Sequence, residues 1–268
     1  MTARLDAELV RRGLARSRRQ AGELIAAGRV RVDGGPAARP ATPVDDARVL
    51  VVEDDPDDPG YASRAGHKLA GALDTWASAG LAVAGRDCLD AGASTGGFTD
   101  VLLRRGARHV VAVDVGHGQL RPELAADPRV EAREGVNVRG LRSGDVTPAP
   151  SLVVADLSFI SLRLVLAPLA AVAARDADLV VLVKPQFEVG RERLGSGGVV
   201  RDPAARRGAV LGVLDAATAA GLAGIDLVAS PLPGQDGNVE YFCWLRGAAA
   251  GGARLDQARV DEVLGGTQ

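Results

Sequence analysis

Apolar residues recur at helical spacing near the amino terminus and at strand spacing beyond residue 86, and this change of period divides the chain. Leu5, Leu9 and Val10, then Ala21, Leu24 and Ile25, predict two short amphipathic helices separated by Gly13, with Ser17 placed to cap the second and Gly28 to end it. The run RVRVDGGPA predicts a strand entering a turn at Asp33-Gly34, and residues 48–52 a returning strand. From residue 86 short β-branched runs alternate with helical segments. Strands are predicted at 87–90, 109–114, 151–156, 179–183, 225–229 and 239–245, with a presumed third strand of unassigned span before the loop that holds Asn137. Such alternation predicts an α/β protein: a Rossmann-like doubly wound sheet over residues 64–268, joined by a linker at 56–63 to a small α+β domain over residues 1–55.

Composition fits that division. A chain of 268 residues with 47% hydrophobic and 25% charged residues has enough apolar surface for one full α/β domain and a small appendage. The net charge of −2 conceals an asymmetry, because residues 1–31 carry eight arginines against Asp6, Glu8 and Glu23, a local balance of +5. That arm suits a phosphate backbone, whereas residues 53–58 form an acidic, Pro-rich stretch that nucleic acid would avoid. Aromatic residues make up only 3% of the chain, which argues against recognition of bases on an aromatic-rich surface. Cys88 and Cys243 are too few for a disulfide framework and read as core residues, and no Cys/His cluster has metal-ligand spacing, so no metal is expected. The opening MTARLDAELVRRG lacks an apolar signal core, and the longest apolar stretch, residues 162–183, is interrupted by Arg163, Arg175, Asp176 and Asp178. A cytoplasmic protein that does not enter membranes is expected.

Open α/β sheets bind ligands beyond the carboxyl ends of their strands. The first such end is DAGASTGGFTD, a glycine-rich turn that contains Asp90, Gly92, Ala93, Ser94, Thr95, Gly96, Gly97 and Phe98. It is neither G-x-G-x-x-G nor a P-loop, which disfavours a dinucleotide or a triphosphate. A strand-end acid followed by small residues fits a cationic ligand without phosphate, S-adenosylmethionine, with Asp90 facing its charged end. Asp114 closes the next strand about 20 residues on, where an acid conventionally holds ribose hydroxyls. A tight turn plus a helix cap is the alternative for either acid. Asn137, in EGVN, is an adenine contact or a turn former.

Thirty of the thirty-two basic residues are arginine, and the exceptions are Lys68 and Lys184. Arginine cannot lose its proton in a protein, whereas an amine can titrate and act as a compact charge, so both lysines are candidates for chemistry unless they merely escaped compositional drift. In LDAELVRRGLARSRRQAGELIAAGRVRVDG the chain resembles the small RNA-binding module named after ribosomal protein S-four. That resemblance implies that Arg16, Arg18, Arg19 and Arg31, with Arg4 and Arg64, contact RNA; a solvated basic helix face is the alternative. The strings YASRAGHKL, DAGASTGGFTD, VVADLSFISL, VLVKPQFEVG and GNVEYF resemble the FtsJ-like RNA ribose methyltransferases, and with the amino-terminal module the whole chain resembles the TlyA family of ribosomal RNA 2′-O-methyltransferases. The resemblance implies catalysis by Lys68, Asp156, Lys184 and Glu240, with Asp156 also beside the cofactor, and cytidines of 16S and/or 23S ribosomal RNA as targets. Two positions depart from common patterns: Ser94 replaces a frequent glycine, and RAGH precedes Lys68 in place of a glycine pair.

A ribose hydroxyl is a poor nucleophile and needs positioning plus a proton acceptor, for which Lys184 is the candidate while Lys68, Asp156 and Glu240 arrange the charges around it. DLSF lacks the Pro-Pro pair of amino-group methyltransferases, which leaves oxygen as the acceptor. His67 reads as packing or RNA contact, and the glycine-rich residues 192–203 as a loop that closes over substrate or stays in solvent. A membrane-active haemolysin, a label attached to this family, and a non-catalytic RNA-binding protein are the competing functions. If the arginine-rich arm binds phosphates, RNA affinity of the amino-terminal fragment falls steeply with salt through counterion release; a flat salt titration would count against it.

Overall fold

The computed structural model describes residues 2–15, 17–53, 58–190, 192, 194–234, 236–247 and 254–266. It divides into two compact units, Met1–Gly60 and Tyr61–Gln268. Tyr61, Ala62 and Ser63, expected in the linker, therefore lie within the second unit. The physical reason is local: Ala62 N–H donates to the buried Asp100 Oδ2 at 2.8 Å, and Ser63 caps the helix that follows.

The first unit contains β1 (Ala3–Arg4), α1 (Leu5–Arg11), α2 (Arg18–Ala26), β2 (Val30–Val32), β3 (Gly35–Pro36), β4 (Pro43–Val44) and β5 (Leu50–Val52). Ser17 Oγ accepts from Gln20 N–H at 3.2 Å, the cap that the sequence predicts. Asp33 and Gly34 both have positive φ, 50° and 81°, and close a two-residue hairpin between β2 and β3 whose twist suits the flanking strands. The returning strand β5 pairs with the other edge of β2. Leu5, Leu9, Ala21, Ile25, Val30, Val44 and Leu50 form the core of this unit.

The second unit runs α3 (Arg64–Ala77), β6 (Asp87–Ala91), α4 (Gly97–Arg104), β7 (His109–Val113), α5 (Pro122–Ala125), β8 (Val130–Arg133), β9 (Leu152–Ala155), α6 (Leu166–Val172), β10 (Asp178–Val183), α7 (Pro185–Glu188), α8 (Pro203–Ala219), β11 (Leu222–Ala229), β12 (Tyr241–Gly247) and α9 (Gln257–Gly265). Its seven strands lie in the order β11-β12-β10-β9-β6-β7-β8. Six run in the same direction, and β12 alone runs antiparallel, between β10 and β11. The chain leaves β6 toward β7 and β8, then crosses to β9 and β10 on the other side. A reversal of this kind opens a crevice at the carboxyl ends of β6 and β9.

Burial follows the two-residue period of the strands. Leu89, Val111, Val153 and Val181 face one core with α6 and α8, while Cys88, Val110, Val154 and Val180 face the other with α3 and α4. Two helices meet at a glycine pair: a Cβ on Gly66 of α3 would lie 2.6 Å from Tyr61 Cβ and 3.1 Å from Gly97 O at the start of α4. Gly66→Ala gains about 1 kcal/mol of helix propensity but meets the root of the Tyr61 side chain and the Gly97 carbonyl, at an overpacking cost of about 1–3 kcal/mol. The net effect expected in thermal unfolding is a lower midpoint.

Candidate active site

The crevice is built from strand ends. Asp90 is the next-to-last residue of β6 and Asp114 lies just after β7; Asp156 follows β9, Lys184 follows β10, and Glu240 precedes β12. Val183 pairs with Tyr241 in the antiparallel register, so Lys184 and Glu240 occupy successive positions at one end of the sheet. Pro185 begins α7 and biases the residue before it away from helix, so Lys184 remains extended at φ −111°, ψ 98°.

Four of the expected residues form two ion pairs. Lys184 Nζ lies 2.6 Å from Asp156 Oδ1 and donates to Ser158 Oγ at 2.9 Å. Lys68, on α3 and 8% exposed, donates from Nζ to Glu240 Oε2 at 2.6 Å. Gln186, two residues beyond Lys184, donates to the other Glu240 oxygen at 3.4 Å and thereby links the pairs. Against that same oxygen stands Gly234, where a Cβ would lie 2.5 Å from Glu240 Oε1.

Two adjoining cavities, about 140 and 340 Å³, share Gly92, Ser94, Asp156 and Ser158. The smaller is also lined by Lys184, Thr95 and Gly97, the larger by Asp114, Val138 and Phe159. Gly92 has φ 88°, and a Cβ there would lie 2.6 Å from Asp156 O, so only glycine permits this approach. Ser94 adopts φ 47°, the left-handed conformation that a glycine takes without strain, and its N–H donates to Asp114 Oδ2 at 2.8 Å. The departure at Ser94 thus keeps the backbone shape of glycine at a cost of about 1–2 kcal/mol. Gly96, with φ 94°, caps α4 and abuts Leu120 and Leu124.

Asp90 is fully buried. Thr99 Oγ1 donates to its Oδ2 at 2.6 Å, while Oδ1 has no hydrogen-bond partner. Burial pushes its carboxyl up from 3.8 to about 7, opposed by the Thr99 hydrogen bond and assisted by the charges of Asp156 and Asp114. Two acids bordering one crevice, with an orphaned buried oxygen on Asp90, fit a ligand that carries positive charge.

Asn137 is not brought to the cavities. Its Oδ1 caps a turn by accepting from Arg139 N–H at 3.0 Å, as a turn former would, while its neighbours Val136 and Val138 line the larger cavity. Cys88 and Cys243 are buried, and burial pushes both thiols up to about 12. His67 packs edge-on against Tyr61 at 5.1 Å. The glycine-rich loop is held at one end by Asn238, which donates to Gly198 O at 3.1 Å and accepts from Val200 N–H at 2.9 Å.

The arginines expected to contact RNA are more heavily paired than their sequence suggests. Arg4 and Arg18 share Asp6, Arg19 approaches Glu23 at 3.6 Å, and Arg31 pairs with Glu53 at 2.9 Å. Arg4 and Arg18 hold Asp6 at about 2, with the Arg4 hydrogen bond the larger cause, and yet remain more than half exposed. Arg64, in the second unit, donates to Pro233 O at 3.4 Å. Arg16 lies outside the described residues.

Comparison with known proteins fits this geometry. Residues 61–247 match the FtsJ-like methyltransferase family, and residues 3–49 match the S4 domain. A Mycobacterium tuberculosis protein named 16S/23S rRNA (cytidine-2′-O)-methyltransferase TlyA is 59% identical over 91% of this chain and 90% of its own length. The chain belongs to the TlyA family of FtsJ-like methyltransferases. Another relative of this TlyA chain is Hemolysin A of Brachyspira hyodysenteriae, 36% identical over 89% of this chain and 98% of that protein. A solved structure from Streptococcus thermophilus, also named for hemolysin, superposes with a TM-score of 0.77 at 36% identity, covering 98% of this chain and 94% of that one. No helix among the described residues is long and apolar enough to cross a membrane.

Glu188, Ser158, Gln186, Asn238 and Phe159 escaped the reading of the sequence. The first four stand inside or beside recognisable strings, but their partners lie 26 to 54 residues away and no local signal gives that pairing. The buried Asp90 yields a test. Between pH 3.8 and about 7 the folded state keeps a proton that the unfolded chain has released, so stability of the ligand-free protein falls as pH rises through that window. Asp90→Asn removes the titration, and its thermal midpoint relative to the parent should be higher at about pH 8 than at about pH 5. An equal difference at both pH values would refute the burial argument.

Proposed function

We infer that this chain transfers a methyl group from S-adenosylmethionine to the 2′-oxygen of cytidine ribose in ribosomal RNA. The observation that carries the reading is the paired arrangement of Lys184 with Asp156 and Lys68 with Glu240 at one end of the sheet, beside a cavity bordered by acids. When bound, S-adenosylmethionine supplies an electrophilic methyl group and retains the broken bond's electrons on sulfur.

The protein's share of the work is positioning and proton handling. Asp156 and Ser158 fix the Lys184 amine where it lines the cavity; once its ammonium form has released one proton to solvent, the neutral amine takes the proton of the ribose hydroxyl as that oxygen bonds to carbon. Lys68 does not line either cavity; held by Glu240, it acts as a fixed charge behind the reacting group. The residues that would hold the donor are Asp90, the turn from Gly92 to Phe98, Asp114 and Asp156. Buried cysteines whose thiols burial pushes up to about 12 offer no thiolate for methylation at a base carbon, which argues against a carbon acceptor. The S4 domain and its exposed Arg4, Arg18 and Arg19 supply the attraction for RNA phosphates.

Labelled methyl transfer to ribosomal subunits, with 2′-O-methyl mapping, tests the reading directly; label absent from ribose would reject it, and lysis of erythrocytes by the same protein would favour the haemolysin reading. Arginine cannot accept the proton, so Lys184→Arg should lose at least about a hundredfold in rate while still binding S-adenosylmethionine in calorimetry. Near-normal turnover of that variant would remove Lys184 as the proton acceptor.

A further inference from the structure

The loop that follows Asp156 is unusual in three ways. Ser158 accepts from the Lys184 amine. Phe159, next along, is 92% exposed and holds φ 64°, a left-handed conformation that is rare and costly for an aromatic residue. Its ring meets that of Phe187, on α7, at 5.2 Å. Strained backbone persists only where its surroundings over-determine it. Glu188, the last residue of α7, holds the far end of this loop.

The Glu188 side chain is 1% exposed. Its Oε2 accepts from Ser161 Oγ at 2.5 Å, its Oε1 accepts from Leu162 N–H at 2.7 Å, and Arg163 Nε lies 3.4 Å away. Arg163 also donates from Nη2 to the Glu188 backbone carbonyl at 2.8 Å. One buried carboxylate therefore ties the far end of the 157–162 loop to the short helix that begins just after Lys184. Both ends of the Lys184–Ser158 hydrogen bond are thereby carried on segments that Glu188 joins.

We propose that Glu188 is a positioning residue for methyl transfer: its carboxylate latches the 157–162 loop to α7, which keeps Ser158 on the Lys184 amine and Phe159 at the cavity rim. The inference rests on the catalytic reading of Lys184 given above. Deleting the carboxylate strands the Leu162 N–H and releases the Ser161 hydroxyl, and the loop then relaxes away from the strained conformation. A residue of this kind acts through Ser158, so the two side chains should be energetically coupled.

The test is a double-mutant cycle on the full chain. Glu188→Ala should lower single-turnover methyl transfer at least about tenfold, and Ser158→Ala should lower it by a similar factor. The double variant should lose no more than the worse single one. Glu188→Gln keeps an acceptor for Leu162 N–H and should recover activity to within about threefold of the parent. Hydrogen exchange, which needs neither donor nor RNA, should quicken over residues 157–162 in Glu188→Ala and not in the strands. If Glu188→Ala does not fold, Glu188→Asp, one methylene short of its partners, takes its place in both measurements. Multiplicative losses in the cycle, or unchanged exchange over 157–162 in a folded Glu188 variant, would overturn the proposal. An unmodified parent that transfers no methyl group would instead reject the catalytic reading, and the exchange measurement would still decide the latch.

Discussion

Two ammonium groups brought to one end of a sheet cannot stay there unless each is matched by its own carboxylate, and that requirement organises the site. Removing one partner of a buried ion pair typically costs about 3–5 kcal/mol, because the remaining charge keeps its desolvation penalty without its attraction. Lys68 and Glu240 form such a pair across 172 residues of sequence, joining α3 to the entry of β12. Lys184 and Asp156 form the other, between the ends of neighbouring parallel strands. The sheet supplies the spacing and the pairs fix the side chains on it.

Around these pairs the backbone comes closer than side chains permit. Gly92 lies against the Asp156 carbonyl, Gly97 against Ser63, and Gly234 against the Glu240 carboxylate. Each contact trades the packing a side chain would give for a shorter distance between a functional group and its support. Ser94 shows the limit of that economy: a residue with a Cβ adopts a left-handed backbone because Asp114 accepts its N–H. The same acid accepts from Gly116 N–H at 2.8 Å, so the turn after β7 and the glycine-rich turn share one anchor.

Much of this was legible in the sequence, and the boundary of legibility has a physical cause. Short β-branched runs located β6, β7, β9, β10 and β12 to within about two residues, because strands covered on both faces read as apolar runs. β8 escaped an assigned span because VEAR, at the sheet edge, is half exposed and has no such run. β11 begins at Leu222, three residues before its predicted start, since Gly224 weakens the strand signal there. The four members of the two ion pairs were legible by type and string, but how they pair was not. Composition foretold a basic arm, and two of the acids that neutralise part of it, Asp46 on Arg11 and Glu53 on Arg31, lie beyond residues 1–31.

The persistence of exactly two lysines acquires a separate reason at each position. At Lys68 the reason is shape. Its amine meets Glu240 at 2.6 Å in a pocket where the other carboxylate oxygen already accepts from Gln186 and lies where even a Cβ on Gly234 would collide with it. A guanidinium presents a planar fork that demands both oxygens side by side, and this carboxylate has only one to offer. At Lys184 the room exists, since the side chain lines a cavity, and the neighbouring Asp156 would readily accept an arginine. On the proposed proton-acceptor role, what arginine lacks there is the capacity to give up a proton and take it back. On that proposal one position is lysine because of its shape and the other because of its chemistry, and the proposed Glu188 latch serves only the second.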